Sequence, residues 1–88
     1  MKTEFLSRFY KDLDKLPSQS VKNDVFNAIV NVEKSLKISQ ISNIKKLTGY
    51  SFSYRIRIGN YRIGVFIEND LVQFARVLHR KDIYKAFP

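Results

Sequence analysis

Five side chains in the second half of this chain have the chemistry of phosphate binding: Arg55, Arg57, Arg62, Arg80 and Tyr84. A guanidinium stays charged at any physiological pH and presents its donors in a fork that matches two phosphate oxygens. Arg55 and Arg57 alternate with Tyr54, Ile56 and Ile58, the period of two that marks a strand with one apolar and one basic face. Gly59-Asn60 then reads as a two-residue hairpin turn with glycine in its first central position. That turn pairs Ile58 with Tyr61, Arg57 with Arg62, Ile56 with Ile63, Arg55 with Gly64 and Tyr54 with Val65. One face of the hairpin is therefore core. The other holds three arginines, with Gly64 as a gap beside Arg55. Two arginines directly opposite each other cost a few tenths to ~1 kcal/mol. A fold tolerates that cost where an anion supplies the missing counter-charge. Phe66 shares this face and can stack a base, but packing against the tail is its expected role.

A second polar cluster, His79-Arg80-Lys81-Asp82-Ile83-Tyr84, follows a strand near the end of the chain. Loop residues after a strand can converge on a sheet face. His79 is a candidate acid or base as well as an ordinary surface histidine. Tyr84 is a candidate for proton chemistry as well as a hydrophobic anchor. Lys46, Lys81, Arg55 and His79 complete the set of candidate nucleic-acid contacts, and Arg57, Arg62, Arg80 and Tyr84 form the candidate catalytic set. There is no carboxylate pair, no phosphate-binding glycine loop and no metal-ligand spacing. No metal and no cofactor is expected, and the absence of cysteine removes any disulfide or thiolate zinc site.

Charge supports the same surface. The net charge is +8. Signs are mixed at both ends, but positions 34–67 contain Lys34, Lys37, Lys45, Lys46, Arg55, Arg57 and Arg62 and no acid at all. A field of one sign favours a polyanion or an acidic protein as partner. No apolar run is long enough to span a membrane, and the opening MKTEFLSRFYKDLDK lacks the apolar core of a signal peptide. The expectation is one domain over residues 1–88, cytoplasmic and without a membrane partner.

The elements that must position these groups follow from periodicity. Lys2–Leu6 reads as a short strand. Ser7 is expected to cap a helix with Phe9, Leu13 and Leu16 on its inner stripe. Pro17-Ser18 ends it and starts a second helix, where Val21, Val25, Ala28, Ile29, Val32 and Leu36 keep a 3.6-residue period. Ser39 to Asn43 is a polar connection. Tyr61 to Ile67 is the return strand of the hairpin, Glu68-Asn69-Asp70 a turn, and Leu71 to Leu78 a further strand. Helices first and strands later predict an α+β domain, with an N-terminal helical hairpin packed on one face of an antiparallel sheet.

The run LTGYSFSYRIRIGNYRIGVFI, followed by HRKDIY, resembles the RelE/ParE toxins of type II toxin–antitoxin pairs. The opening EFLSRFYKDLDKL is also similar to the family's first strand and helix, so the resemblance covers essentially the whole chain. It implies a helical hairpin on a four-stranded antiparallel sheet. It also implies an endoribonuclease of the RelE branch, which cuts messenger RNA on the ribosome without a metal, by attack of the RNA's own 2′-hydroxyl. By motif, the basic strand residues correspond to Arg55 and Arg57, the Tyr-Arg arginine to Arg62, the post-strand arginine to Arg80 and the late tyrosine to Tyr84. The implied partners are mRNA, a cognate antitoxin, and operator DNA only through the antitoxin complex. Where RelE has lysines on the basic strand this chain has arginines, which removes an amine as proton carrier. The alternatives are a ParE-like gyrase inhibitor without nuclease activity, and a catalytically dead binding module.

Overall fold

The computed structural model describes residues 1–88. In chain order the elements are β1 (Lys2–Phe5), α1 (Ser7–Asp14), α2 (Gln19–Lys34), a single 3-10 turn (Ile38–Gln40), β2 (Ile44–Lys46), β3 (Ser53–Ile58), β4 (Tyr61–Glu68), β5 (Leu71–His79) and α3 (Ile83–Ala86). The strands form one sheet in the order β1-β5-β4-β3-β2. The class is α+β, as the sequence predicts. Two details of the sheet differ. It has five strands rather than four, because Ile44–Lys46 adds itself antiparallel to β3. It is also mixed rather than purely antiparallel, because β1 lies parallel to β5 as an edge strand.

The β3–β4 hairpin has the register that the Gly59-Asn60 turn dictates: Ile58 opposite Tyr61, Arg57 opposite Arg62, and so on to Tyr54 opposite Val65. Gly59 takes φ 61°, the left-handed value a hairpin turn of this kind needs at its first central position. The next turn uses Asn69 and Asp70, at φ 50° and 65°. These two residue types tolerate that conformation best after glycine.

The helices meet their expected inner stripes with small displacements at their ends. Ser7 is the first residue of α1 but caps nothing; Leu6 holds the cap position without a side-chain bond. Ser18 does cap α2, accepting a hydrogen bond from the Val21 N–H at 3.2 Å. α2 stops at Lys34, where Ser35 turns extended and its hydroxyl donates to the Asn31 carbonyl at 2.7 Å. Leu36, expected on the buried stripe, therefore lies beyond the helix and is 81% exposed.

The main core lies between the helices and one face of the sheet. Phe9, Val25 and Val32 from the helices pack with Ile56, Ile63, Val65, Phe74 and Val77 from the strands. Each such side chain contributes roughly 1.5–3 kcal/mol of burial. The buried polar side chains are Asp12, Ser35 and Ser53. Asp12, on the inner face of α1, receives Arg76 Nε at 2.8 Å, Arg76 Nη2 at 3.2 Å and the Val77 N–H at 3.1 Å. Arg76 is held charged chiefly by the hydrogen bond to Asp12, which raises its pKa further. The bulge that leaves Ala75 unpaired between Phe74 and Arg76 sits at this point of β5.

A second, smaller core occupies the opposite face. Ala75, Ile83 and Phe87 are buried there, with Leu6, Leu47, Phe66 and Leu78 packed around them. It exists because the chain after β5 folds back across the sheet. Phe87 lies directly over Gly64, where an added Cβ would meet its ring at 2.6 Å. The gap that the sequence leaves beside Arg55 is thus a seat for the tail. Phe66 packs on Phe87 with ring centroids 5.0 Å apart, the packing role expected of it.

Candidate active site

The arginines that alternate along β3 and β4 all emerge on the tail-crossed face. Arg57 stands opposite Arg62, and Lys45 of β2 stands opposite Arg55. Two cross-strand pairs of like charge therefore lie side by side. No carboxylate balances them: the ion pair that the chain does form, Arg76–Asp12, belongs to the other layer.

The hairpin tip organises the far end of this face. Arg62 Nη1 donates to the Gly59 carbonyl at 2.8 Å and to the Tyr61 carbonyl at 2.9 Å, which folds its side chain over the turn. The Arg80 N–H donates to the Asn60 carbonyl at 2.8 Å. This bond carries the β4–β5 ladder past the end of β5 and fixes Arg80 beside the same turn. α3 then begins, and buried Ile83 and Phe87 on either side of Tyr84 leave that tyrosine 60% exposed.

Arg62 is the centre of the cluster. Its guanidinium is pushed below the ordinary arginine pKa, first by partial burial and then by repulsion from Arg55. Tyr84 opposes the shift, and Arg57 and Arg80 add to it. The five residues singled out from the sequence thus share one electrostatic neighbourhood. An arginine held where its own charge is disfavoured is poised to gain from an incoming anion.

A cleft of about 400 Å³ opens next to Arg55. Lys45, Lys46, Arg55 and Lys85 supply its charge, while Tyr50 and Tyr84 supply aromatic surface. Lys46 also lines it, although its strand partner is Tyr54 and it is Lys45 that stands opposite Arg55.

Other candidates fall elsewhere. His79 is paired with Tyr61 on the helix side of the sheet, its ring edge-on to the tyrosine at 5.4 Å. Its Nδ1 accepts the Lys81 N–H at 3.2 Å. Residue alternation is the cause: His79 sits between Leu78 and Arg80, both of which belong to the arginine face. Lys81 is exposed in the turn after β5. Lys45, Tyr50 and Lys85 were not singled out from the sequence. Lys45 reaches the site because the strand Ile44–Lys46 pairs with β3 and puts it across from Arg55. No three His, Asp or Glu side chains are close enough together to hold a metal ion.

Fold and site together define a small α+β domain with a cationic sheet face, and comparison with known proteins gives that class its family. The profile of the ParE toxin of type II toxin–antitoxin systems, parDE, matches residues 4–84. The chain is 42% identical over 89 residues to Toxin RelE3 of Methanocaldococcus jannaschii, and the alignment covers all of both chains. It superimposes on the RelB-RelE antitoxin–toxin complex from Methanococcus jannaschii with a TM-score of 0.81 and 40% identity, covering 97% of this chain and 99% of that one. The toxin–antitoxin complex RelBE2 from Mycobacterium tuberculosis gives 0.70 and 25%, with 92% of each chain covered. The chain belongs to the RelE/ParE family and is a RelE-type toxin of a type II toxin–antitoxin system. None of its helices is long and apolar enough to cross a membrane.

Proposed function

We propose that this toxin is an endoribonuclease that cuts messenger RNA presented on the ribosome, using the RNA's own 2′-hydroxyl as nucleophile. The observation that supports this reading is the unbalanced set Arg57, Arg62 and Arg80 at one hairpin tip, with Tyr84 near enough to influence the charge of Arg62. In the reaction the 2′-oxygen attacks the adjacent phosphorus and the P–O5′ bond breaks. The proton lost by the 2′-hydroxyl is balanced by the one gained at O5′. Arg62 and Arg80 stabilise the charge that builds on the pentacovalent phosphate. Arg57 adds to that stabilisation, and Arg55 holds the backbone. Arginine stays protonated and cannot relay the proton. His79 faces the other side of the sheet, which favours Tyr84 as the group that assists proton transfer. The chemistry calls for no metal ion, since the nucleophile belongs to the substrate and the counter-charge to the arginines.

The same surplus of positive charge calls for a protein that covers it when the toxin is held inactive. The cognate antitoxin fills that role with acidic or apolar helical segments, and operator DNA is reached only through that complex. Solved relatives that are themselves RelB–RelE complexes support this. Co-expression should give a co-purifying pair whose affinity falls with salt.

End-group analysis of cut mRNA tests the reaction. Wild-type toxin should leave a 2′,3′-cyclic phosphate or 3′-phosphate and a 5′-hydroxyl on ribosome-presented mRNA, and should leave DNA gyrase supercoiling intact. A 3′-hydroxyl product, or inhibited gyrase with intact mRNA, overturns the reading.

A further inference from the structure

The basic cleft beside Arg55 extends the arginine face away from the hairpin tip, toward the loop between β2 and β3. Its volume of about 400 Å³ falls within the roughly 300–1,000 Å³ of sites that hold small molecules. Its two aromatic side chains come from different parts of the chain. Tyr50 belongs to the loop between β2 and β3, and Tyr84 to α3. Both are strongly exposed, at 52% and 60%, so neither ring is spent on packing.

The two segments are nevertheless held together. Leu47, at the start of the loop, packs into the same small core as Ile83 and Phe87, which flank Tyr84. The Leu47 N–H donates to the Ser53 carbonyl at 2.9 Å and closes the base of the loop. Leu47 and Phe87 also line the cleft. Two exposed aromatic rings, an apolar floor and a rim of Lys45, Lys46 and Arg55 form a site for a flat, apolar-faced group joined to an anion. A nucleobase with its phosphate is that group: aromatic rings stack bases, while lysine and arginine hold the backbone.

We propose that this cleft is a nucleobase subsite, with Tyr50 as a positioning residue. The base of the nucleotide next to the scissile phosphate stacks on Tyr50, and its own phosphate rests on Lys45, Lys46 and Arg55. The inference rests on the endoribonuclease reading and adds to it an aromatic wall and a place where base identity is sensed.

Cleavage of a ribosome-presented mRNA carrying varied bases around the cut tests it, with Tyr50→Ala, Tyr50→Phe and, as a remote exposed aromatic, Phe26→Ala. Tyr50→Ala should raise KM about 5- to 150-fold, the loss of one base–aromatic stack. It should change kcat far less, redistribute the cut positions, and leave the thermal midpoint unchanged. Tyr50→Phe should restore wild-type KM and cut positions, and Phe26→Ala should match wild type. An unchanged KM and cut pattern in Tyr50→Ala, while the wild type cuts, overturns the subsite alone. A wild-type protein that cuts no RNA overturns the endoribonuclease reading, and the subsite with it.

Discussion

Neighbouring residues of the same two strands do opposite things on the two faces of this sheet. Ile56, Ile63 and Val65 are buried under α1 and α2. One position away, Arg55, Arg57 and Arg62 share a face with no carboxylate partner. The helix-covered face satisfies everything it buries: even Asp12, at 6% exposure, has three hydrogen-bond donors. The tail-crossed face places like charges opposite each other twice and covers them with only a short apolar strap. Stability resides on one face, and an unbalanced surplus of positive charge on the other.

The sharpest way to break this division is to remove Asp12. Asp12→Ala leaves Arg76 half-sequestered without its carboxylate and the Val77 N–H without an acceptor. It should cost about 3–5 kcal/mol, read as a large fall in the denaturant midpoint. Ile56→Ala tests the apolar side of the same face and should cost roughly 2–5 kcal/mol. Midpoints close to wild type for both would show that the helix-covered face is not where the fold is held.

The strap across the other face should behave differently. Gly64→Ala drives a methyl group into the Phe87 ring and should lift the tail from the sheet. RNA cleavage should fall steeply as Tyr84 is displaced, while the global midpoint moves less than in Ile56→Ala. Equal loss of stability in the two variants would make the tail part of the main fold rather than a support for the site.

The smallest effect has the opposite sign. Arg57 stands against Arg62 with no partner of its own, so Arg57→Ala should leave stability unchanged or raise it by a few tenths to ~1 kcal/mol. Arg57 is also one of the charges that, after burial and Arg55, disfavour the protonated form of Arg62 in the folded state. Chemical denaturation at low salt checks this, and the gain should shrink as salt is added.

These contrasts also explain what could be read from the chain. The β3–β4 hairpin was legible because a strict alternation and a glycine-first turn leave one register for Arg55, Arg57 and Arg62. The helical stripe through Val25 and Val32 was legible for the same kind of reason. Ile44–Lys46 was not, because three residues with one apolar side chain show no period, and Lys45 went unnoticed with it. Asp12 carried a signal, since it lies three residues after Phe9 on the inner face, but a charge there reads as solvent-facing until Arg76 is brought to it by β5. The tail was only half legible. Ile83, Tyr84 and Phe87 are plainly aromatic or apolar, but nothing local says that the chain returns over Gly64 or which ring stays in solvent. His79 fell on the wrong face because its neighbour Arg80, not the histidine, holds the parity of the arginine side.

The central claim is that the surplus of positive charge on this face is what stabilises the transition state of RNA cleavage. The most direct measurement is single-turnover cleavage of ribosome-presented mRNA by Arg62→Ala, Arg80→Ala and the double variant, alongside their melting midpoints and antitoxin binding. Loss of one preorganised charge at a developing oxyanion commonly costs ~10²–10³ in rate. Each single variant should lose about that much, and the double variant should show no measurable cleavage, with the fold intact and the antitoxin complex still formed but weaker at low salt. Cleavage at the wild-type rate by the folded double variant would contradict the account.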